Sequence, residues 1–283
     1  MLKLKKYKPD DLKHVQELEL KILKEIISIC ESHDLKYYAY AGTALGAVRH
    51  NGFIPWDDDI DIVMFREDYE KLLKILDTEL SEEYYVLNFH KHEKYYLPVT
   101  QVCLKGTEFR TYTILPNSYK LGIFIDIFPL DNVPESELKR KIYFSKYIIY
   151  HHLMLNSIFN IKTPNKINSY IHYVIHHILG FYPGHEGIVK KFLKYLTRYN
   201  HKNTNYVTLH LARTVDYINF GKNGFFDKRD FEPSKKIKFE DIEIVIPNNY
   251  DKILTLIYGD YMTLPPEEKR YNHAPEILDF GKY

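Results

Sequence analysis

Only two cysteines, Cys30 and Cys103, occur in the 283 residues, too few and too far apart for a disulfide framework or a zinc-knuckle spacing. A reducing cytoplasm is therefore the expected location. An excess of positive charge is also missing: a formal net charge of +1 gives no basic face for holding nucleic acid through its phosphates, so no nucleic-acid partner is expected. No apolar run of signal-peptide or membrane-spanning length is present. The most apolar later stretch, 147–159, is interrupted by His151, His152 and Asn156, and spanning the bilayer is excluded on that ground. A peripheral membrane contact stays open through the short cluster Lys3, Lys5, Lys6 and Lys8, which would pull only weakly on anionic lipid.

What is there is an ordinary globular composition, 45% hydrophobic and 27% charged, and one stretch on which the rest turns, residues 38–63. Asp57, Asp58, Asp59 and Asp61 crowd together just before the apolar Ile62-Val63-Met64-Phe65. Read as the start of a strand, the segment points Asp57, Asp59 and Asp61 one way and Asp58, Ile60 and Ile62 the other. Carboxylates so crowded either raise one another's pKa or share a cation, and an oxygen-only donor set suits Mg²⁺ or Mn²⁺. An EF-hand loop matches Asp57, Asp59 and Asp61 but needs glycine where Ile62 stands. Upstream, Gly42 and Thr43 open a helix after an extended segment, a local arrangement that offers backbone N–H groups to a phosphate.

The run Gly-Thr-Ala-Leu-Gly-Ala-Val-Arg-His-Asn-Gly-Phe-Ile-Pro-Trp-Asp-Asp-Asp-Ile-Asp-Ile (42–62) resembles the signature of the LicD family, named for bacterial phosphorylcholine transferases and related to fukutin-type phosphotransferases and to the nucleotidyltransferase fold. The segment Gly259 to His273 also resembles the end of such proteins. The resemblance implies an α/β (α+β) enzyme with a nucleotidyltransferase-like mixed sheet flanked by helices. It further implies transfer of a phospho-alcohol, phosphocholine from CDP-choline in the first instance, to a glycan or lipid-linked glycan hydroxyl with release of CMP. A nucleotidyltransferase releasing pyrophosphate, another phospho-alcohol or sugar-phosphate transferase, and a catalytically silent binding module are the alternatives.

Along the chain, apolar residues at Leu12, Val15, Leu18, Ile22, Ile26 and Ile29 predict a helix ending near Ser32-His33-Asp34. A second helix is expected over 66–80, then strands over 84–89, 95–104 and 121–128. In the last of these Asp126 is a lone carboxylate among apolar neighbours and needs a partner. Asp59, Asp61 and Asp126 are expected to hold Mg²⁺ or Mn²⁺ and to carry the catalysis, as the resemblance also implies; Asp126 would take the acceptor's proton. Gly42, Thr43, Arg49, His50, Trp56, Lys269, Arg270 and His273 are the expected substrate contacts, Trp56 through its ring face toward a quaternary ammonium. Asp131 reads as a turn residue. Helices are expected over 135–159, 164–179 and 184–199, with His172 and His176 one turn apart, and a hairpin over 236–247 followed by a helix over 250–258. The expected division is a catalytic core, 1–133, a helical insertion, 134–205, and a C-terminal segment, 206–283, folded back on the core.

Overall fold

The computed structural model describes residues 7–89, 91–92, 95, 97–110, 121–158, 170, 173–178, 184–210, 225–270 and 272–283. The chain is mixed α/β and divides into two compact units, one formed by 1–87, 99–129 and 229–283, the other by 88–98 and 130–228.

The first unit begins with helix α1 (Pro9–Ser32), whose start is marked by proline and by Asp10 and Asp11 in its first turn. Its stripe Val15, Leu18, Ile22, Ile26 and Ile29 is buried, as the spacing predicts. The short strand β1 (Tyr38–Ala39) leads into α2 (Ala41–His50), then β2 (Asp61–Phe65), α3 (Arg66–Glu79), β3 (Tyr84–Leu87), β4 (Thr100–Leu104), β5 (Glu108–Arg110) and β6 (Phe124–Asn132). The sheet runs in the order β1, β2, β6, β4, β3. Alternation along the central strands separates two faces: Ile60, Ile62, Met64, Ile125 and Ile127 enter the apolar core with α1 and α3, whereas Asp61 and Asp126 sit at the intervening positions.

The C-terminal part supplies the hairpin β9 (Lys235–Phe239) and β10 (Ile242–Ile246), turned by Glu240 at φ 53°, the helix Tyr250–Tyr258, and β11 (Ile277–Asp279), which pairs antiparallel with β5. Glu240 anchors this hairpin beside the site: its N–H donates to the Asn51 carbonyl (2.9 Å) and its carboxylate accepts from the Phe53 N–H (2.9 Å).

Helix α2 ends with Asn51 in the left-handed region and folds tightly onto the loop that follows. A Cβ on Gly46 would lie 2.4 Å from the Gly52 carbonyl oxygen and 3.1 Å from the Ile54 nitrogen. Both are backbone atoms held by the loop. Alanine would gain about 1 kcal/mol of helix propensity, but overpacking against fixed backbone costs about 1–3 kcal/mol, so Gly46→Ala is expected to lower the denaturation midpoint. A raised urea midpoint would show the loop free to move.

The second unit holds α4 (Glu137–Ile158), α5 (His185–Leu196), β7 (Tyr206–Leu209), the end of β6 and β8 (Phe226–Asp227). Its core joins Tyr143, Tyr147 and Met154 of α4 to Ile188, Val189 and Phe192 of α5. Here Asp131 departs from expectation. It is a strand residue opposite Thr208, fully buried, with its carboxylate 3.1 Å from His210 Nδ1 and accepting a 2.6 Å bond from Asn200 Nδ2. His210 and Asn200 lie far downstream in sequence, so local turn chemistry gave no sign of them. Of the expected helix over 164–179, residues 173–178 are helical and most of the remainder, His172 included, lies outside the described residues, as do Lys3, Lys5 and Lys6.

Candidate functional site

The aspartate loop is pinned from both sides. Gln16 Nε2, on α1, donates to the Asp57 carbonyl (2.8 Å), and the Thr43 hydroxyl accepts the Asp61 N–H (2.8 Å). The Asp126 N–H donates to the Ile60 carbonyl (2.9 Å), which puts β6 directly beside the loop. Asp61 and Asp126 therefore come to the same side of neighbouring strands, and Asp61 feels the field of Asp126: burial first, then Asp59 and Asp126, hold the Asp61 carboxyl well above the usual range.

Asp126 is pushed up to about 7, burial being the main cause, with Asp59 adding to it while a hydrogen bond from Gln101 pulls the other way. Gln101 stands opposite Asp126 in the antiparallel ladder. One oxygen of Asp126, Oδ1, is buried with no hydrogen-bond partner. Asp59 is also raised, again mainly by burial, although its side chain remains 35% exposed.

Asp57 takes a place that its sequence position did not suggest. Its carboxylate presses on the N-terminus of α2, where a Cβ on Gly42 would sit 2.3 Å from Asp57 Oδ2. Gly42 thus makes room for a carboxylate at the positive end of a helix. Burial, with Asp59 and Asp58, still raises Asp57 to about 8. Thr43, 4% exposed, spends its hydroxyl on Asp61. What remains for an anion at this helix end is backbone, the first N–H groups of α2 having no partner within the helix.

Asp58 does not point away from the site into indifferent surroundings. It is buried, and both carboxylate oxygens accept the backbone N–H of His273, at 2.9 and 3.1 Å. The His273 ring lies 3.5 Å from Asp58 and 3.9 Å from Asp59, and its pKa is raised, first by the bond to Asp58. The C-terminal segment is thereby fastened to the aspartate loop.

The other expected substrate contacts divide. Arg270 stacks on Trp56, 4.9 Å from the ring centre, and donates from Nε to the Pro265 carbonyl (2.9 Å). The ring face expected for a ligand cation is thus covered by a guanidinium of the chain itself. Arg49 donates to the Tyr261 carbonyl (2.6 Å) and to His50 Nε2 (3.0 Å), tying the end of α2 to the C-terminal part. Lys269 is exposed in a 3-10 turn.

Two further groups belong to the site. Glu19, on α1, is 2% exposed, has an unpartnered Oε2, and is held far above the usual carboxyl range by burial and then by Asp59 and Asp58. Its trace in the sequence is a carboxylate between Val15 and Ile22 on the apolar face of α1. Tyr258, 43% exposed as a whole residue, borders the other side: the pKa of its hydroxyl is raised by desolvation and then by the nearby Asp57, Asp61 and Asp59. No local pattern marks it, because the helix Tyr250–Tyr258 is brought here by the fold. Among the described residues no three His, Cys, Asp or Glu side chains already stand close enough to grip a metal ion.

Comparison with known proteins bears on this geometry. A family profile described as "LicD/FKTN/FKRP, nucleotidyltransferase domain" matches residues 34–160, which contain all the aspartates above. The Lipopolysaccharide cholinephosphotransferase LicD of Haemophilus influenzae is 30% identical over 267 residues, covering 93% of this chain and 95% of that protein. An uncharacterised protein of Rickettsia typhi is 34% identical over 101 residues, 36% of this chain and 31% of its own length. The human Ribitol 5-phosphate transferase FKRP is 37% identical over 43 residues, 15% of this chain and 9% of its own.

Proposed function

Because this chain belongs to the LicD family and is a phosphotransferase, we propose that it transfers a phospho-alcohol, phosphocholine in the first instance, from a CDP-activated donor to a hydroxyl of a cell-surface glycan or lipid-linked glycan precursor, releasing CMP. The observation that carries this reading is the pairing of Asp61 and Asp126 on one side of neighbouring strands, within a chain similar over nearly its whole length to a cholinephosphotransferase.

Asp59, Asp61 and Asp126 would hold Mg²⁺ or Mn²⁺. The donor set is hard oxygen throughout, and the partnerless Oδ1 of Asp126 is a ligand atom in need of a cation. The three carboxylates would draw together on binding, since they do not yet form a closed group. When bound, such an ion neutralises charge on the donor's diphosphate. The chain's own residues do the rest. The N-terminus of α2 offers N–H groups to a phosphate oxygen. Asp126, with its raised pKa, takes the proton from the attacking hydroxyl. His273, held to the loop by Asp58, and Arg270, stacked on Trp56, would meet the donor's phosphates. A cytoplasmic location is part of the reading, supported by two buried free thiols.

The test is to incubate the protein and Mg²⁺ with a panel of CDP-alcohols and a glycan acceptor and to identify the products. CMP is expected, and pyrophosphate released from a nucleoside triphosphate would instead assign a nucleotidyltransferase.

The crowded carboxyls also predict how stability depends on pH. An acid whose pKa is higher in the folded than in the unfolded chain keeps its proton preferentially in the folded state, so the stability it contributes is present at low pH and lost as pH rises. For Asp126 and Asp57 that window runs from the ordinary carboxyl value up to about 7 and about 8. The melting temperature of metal-free protein is expected to fall between pH 5 and pH 8, and excess Mg²⁺ to restore it more at pH 8 than at pH 5. A flat profile by calorimetry would show the carboxyls to be compensated in another way.

A further inference from the structure

Helix α4 is apolar on two opposite faces, and only one of them is used. Tyr143, Tyr147 and Met154 are buried in the core of the second unit. On the other side Leu138, Ile142, Ile149 and Leu153 are 68%, 48%, 59% and 36% exposed. At 100° per residue these four fall within about 60° of arc along some four turns of helix, as two pairs with the exposed Ser145 between them. Scattered exposed leucines need no explanation, but four large apolar side chains on one arc of one helix do.

The charges beside the stripe say what covers it. Lys139 and Lys146 line one edge and Lys141 the other, all three exposed, while His152 is exposed beside Leu153. From Leu138 to Ile158 the helix contains no Asp or Glu. Glu137, at the first turn, pairs with Lys141 at 2.8 Å, and among the described residues no carboxylate pairs with Lys139 or Lys146 on their edge. A second copy of the chain laid on this stripe would bring lysines against lysines. A layer of anionic headgroups over acyl chains matches both parts of the pattern: the apolar row enters the boundary and the lysine stems run along it with their ammonium groups outward. No helix among the described residues is long and apolar enough to cross a membrane, so the contact is one of lying on the surface.

We infer that the exposed face of α4 docks the protein on an anionic lipid surface through the row Leu138, Ile142, Ile149 and Leu153 and its flanking lysines. This goes beyond the reaction assigned above and is measured without turnover. The full chain is sedimented with phosphatidylcholine vesicles and with vesicles in which part of that lipid is replaced by phosphatidylglycerol. Wild type is expected to pellet with the second at low salt, to be released by raised salt, and to stay in solution with the first. Ile142→Ser with Ile149→Ser, and separately Lys139→Glu with Lys146→Glu, should each lower the partition coefficient at least tenfold, since a single lysine near such a surface is worth roughly fivefold and an isoleucine buried in it about as much or more. All four positions are exposed and none belongs to the aspartate site, so circular dichroism and CMP release with a water-soluble acceptor should not change. Absence of wild-type binding, or equal binding by both variants, would overturn the inference. So would loss of binding only when Lys3, Lys5 and Lys6 are changed to serine, or a dimer in analytical ultracentrifugation that the Ile142→Ser, Ile149→Ser variant dissociates.

Discussion

Asparagine at Asp61 or Asp126 is expected to lower transfer at least ~10²-fold, the scale on which removal of a group acting on developing charge is felt, while the melting temperature holds or rises. The two halves of that expectation come from one cause. Both carboxyls are held above their usual range by burial and by neighbouring acids, so charge at these positions works against the folded state. An amide of the same shape removes the repulsion and can still exchange a hydrogen bond with Gln101 at position 126. What it cannot do is bind a cation strongly or accept a proton. Asp59→Asn should behave alike, with a smaller gain in stability because Asp59 is partly open to solvent. The measurement is CMP release beside calorimetry on the same preparations. An Asp126→Asn protein that unfolds, or that turns over like wild type, removes Asp126 from the catalytic set.

Asp58→Ala should have the opposite signature. Its carboxylate receives the His273 N–H on both oxygens, and loss of a hydrogen bond to a charged group costs about 1.5–3 kcal/mol. Stability should fall by that order, and KM for the donor should rise about tenfold or more as the segment bearing Arg270 and His273 leaves the loop, a change of about 1.4 kcal/mol in donor binding. Asp58→Asn, which keeps one acceptor, should do less of both. Truncation before Lys269 is a poorer test, because it also strips β11 from β5 and removes the packing of Leu278, Phe280 and Tyr283 on the core. If Asp58→Ala melts like wild type and binds donor normally, the C-terminal segment is held elsewhere.

Some of this was legible in the chain. Helical spacing placed the C-terminal end of α1 to within about two residues, alternation around Glu240-Asp241 placed the hairpin at 236–247 against the observed 235–246, and the helix 250–258 was read at its observed bounds. Those signals are local, since a period of 3.6 or 2 is written in neighbouring residues. The lone acid at Asp126 was legible for the same reason, an exception within an apolar run. Asp131 was misread because the residues that bury and pair it, Asn200 and His210, come from distant positions.

The sequence by itself determined that carboxylates crowd at 57–61, that one more would interrupt a later strand, and that the chain carries the family's signature, since all three are matters of residue type and spacing. Only the tertiary structure decided which way each carboxylate turns. It set Asp57 over the α2 N-terminus against Gly42, gave Asp58 to His273, brought Glu19 and Tyr258 in from either end of the chain, and closed Arg270 over Trp56. The reason is physical: a strand's alternation fixes faces only where the ladder runs, and the ladder begins at Asp61. Before it, the loop 51–60 takes its shape from what packs on it, and those contacts reach across as many as 215 residues.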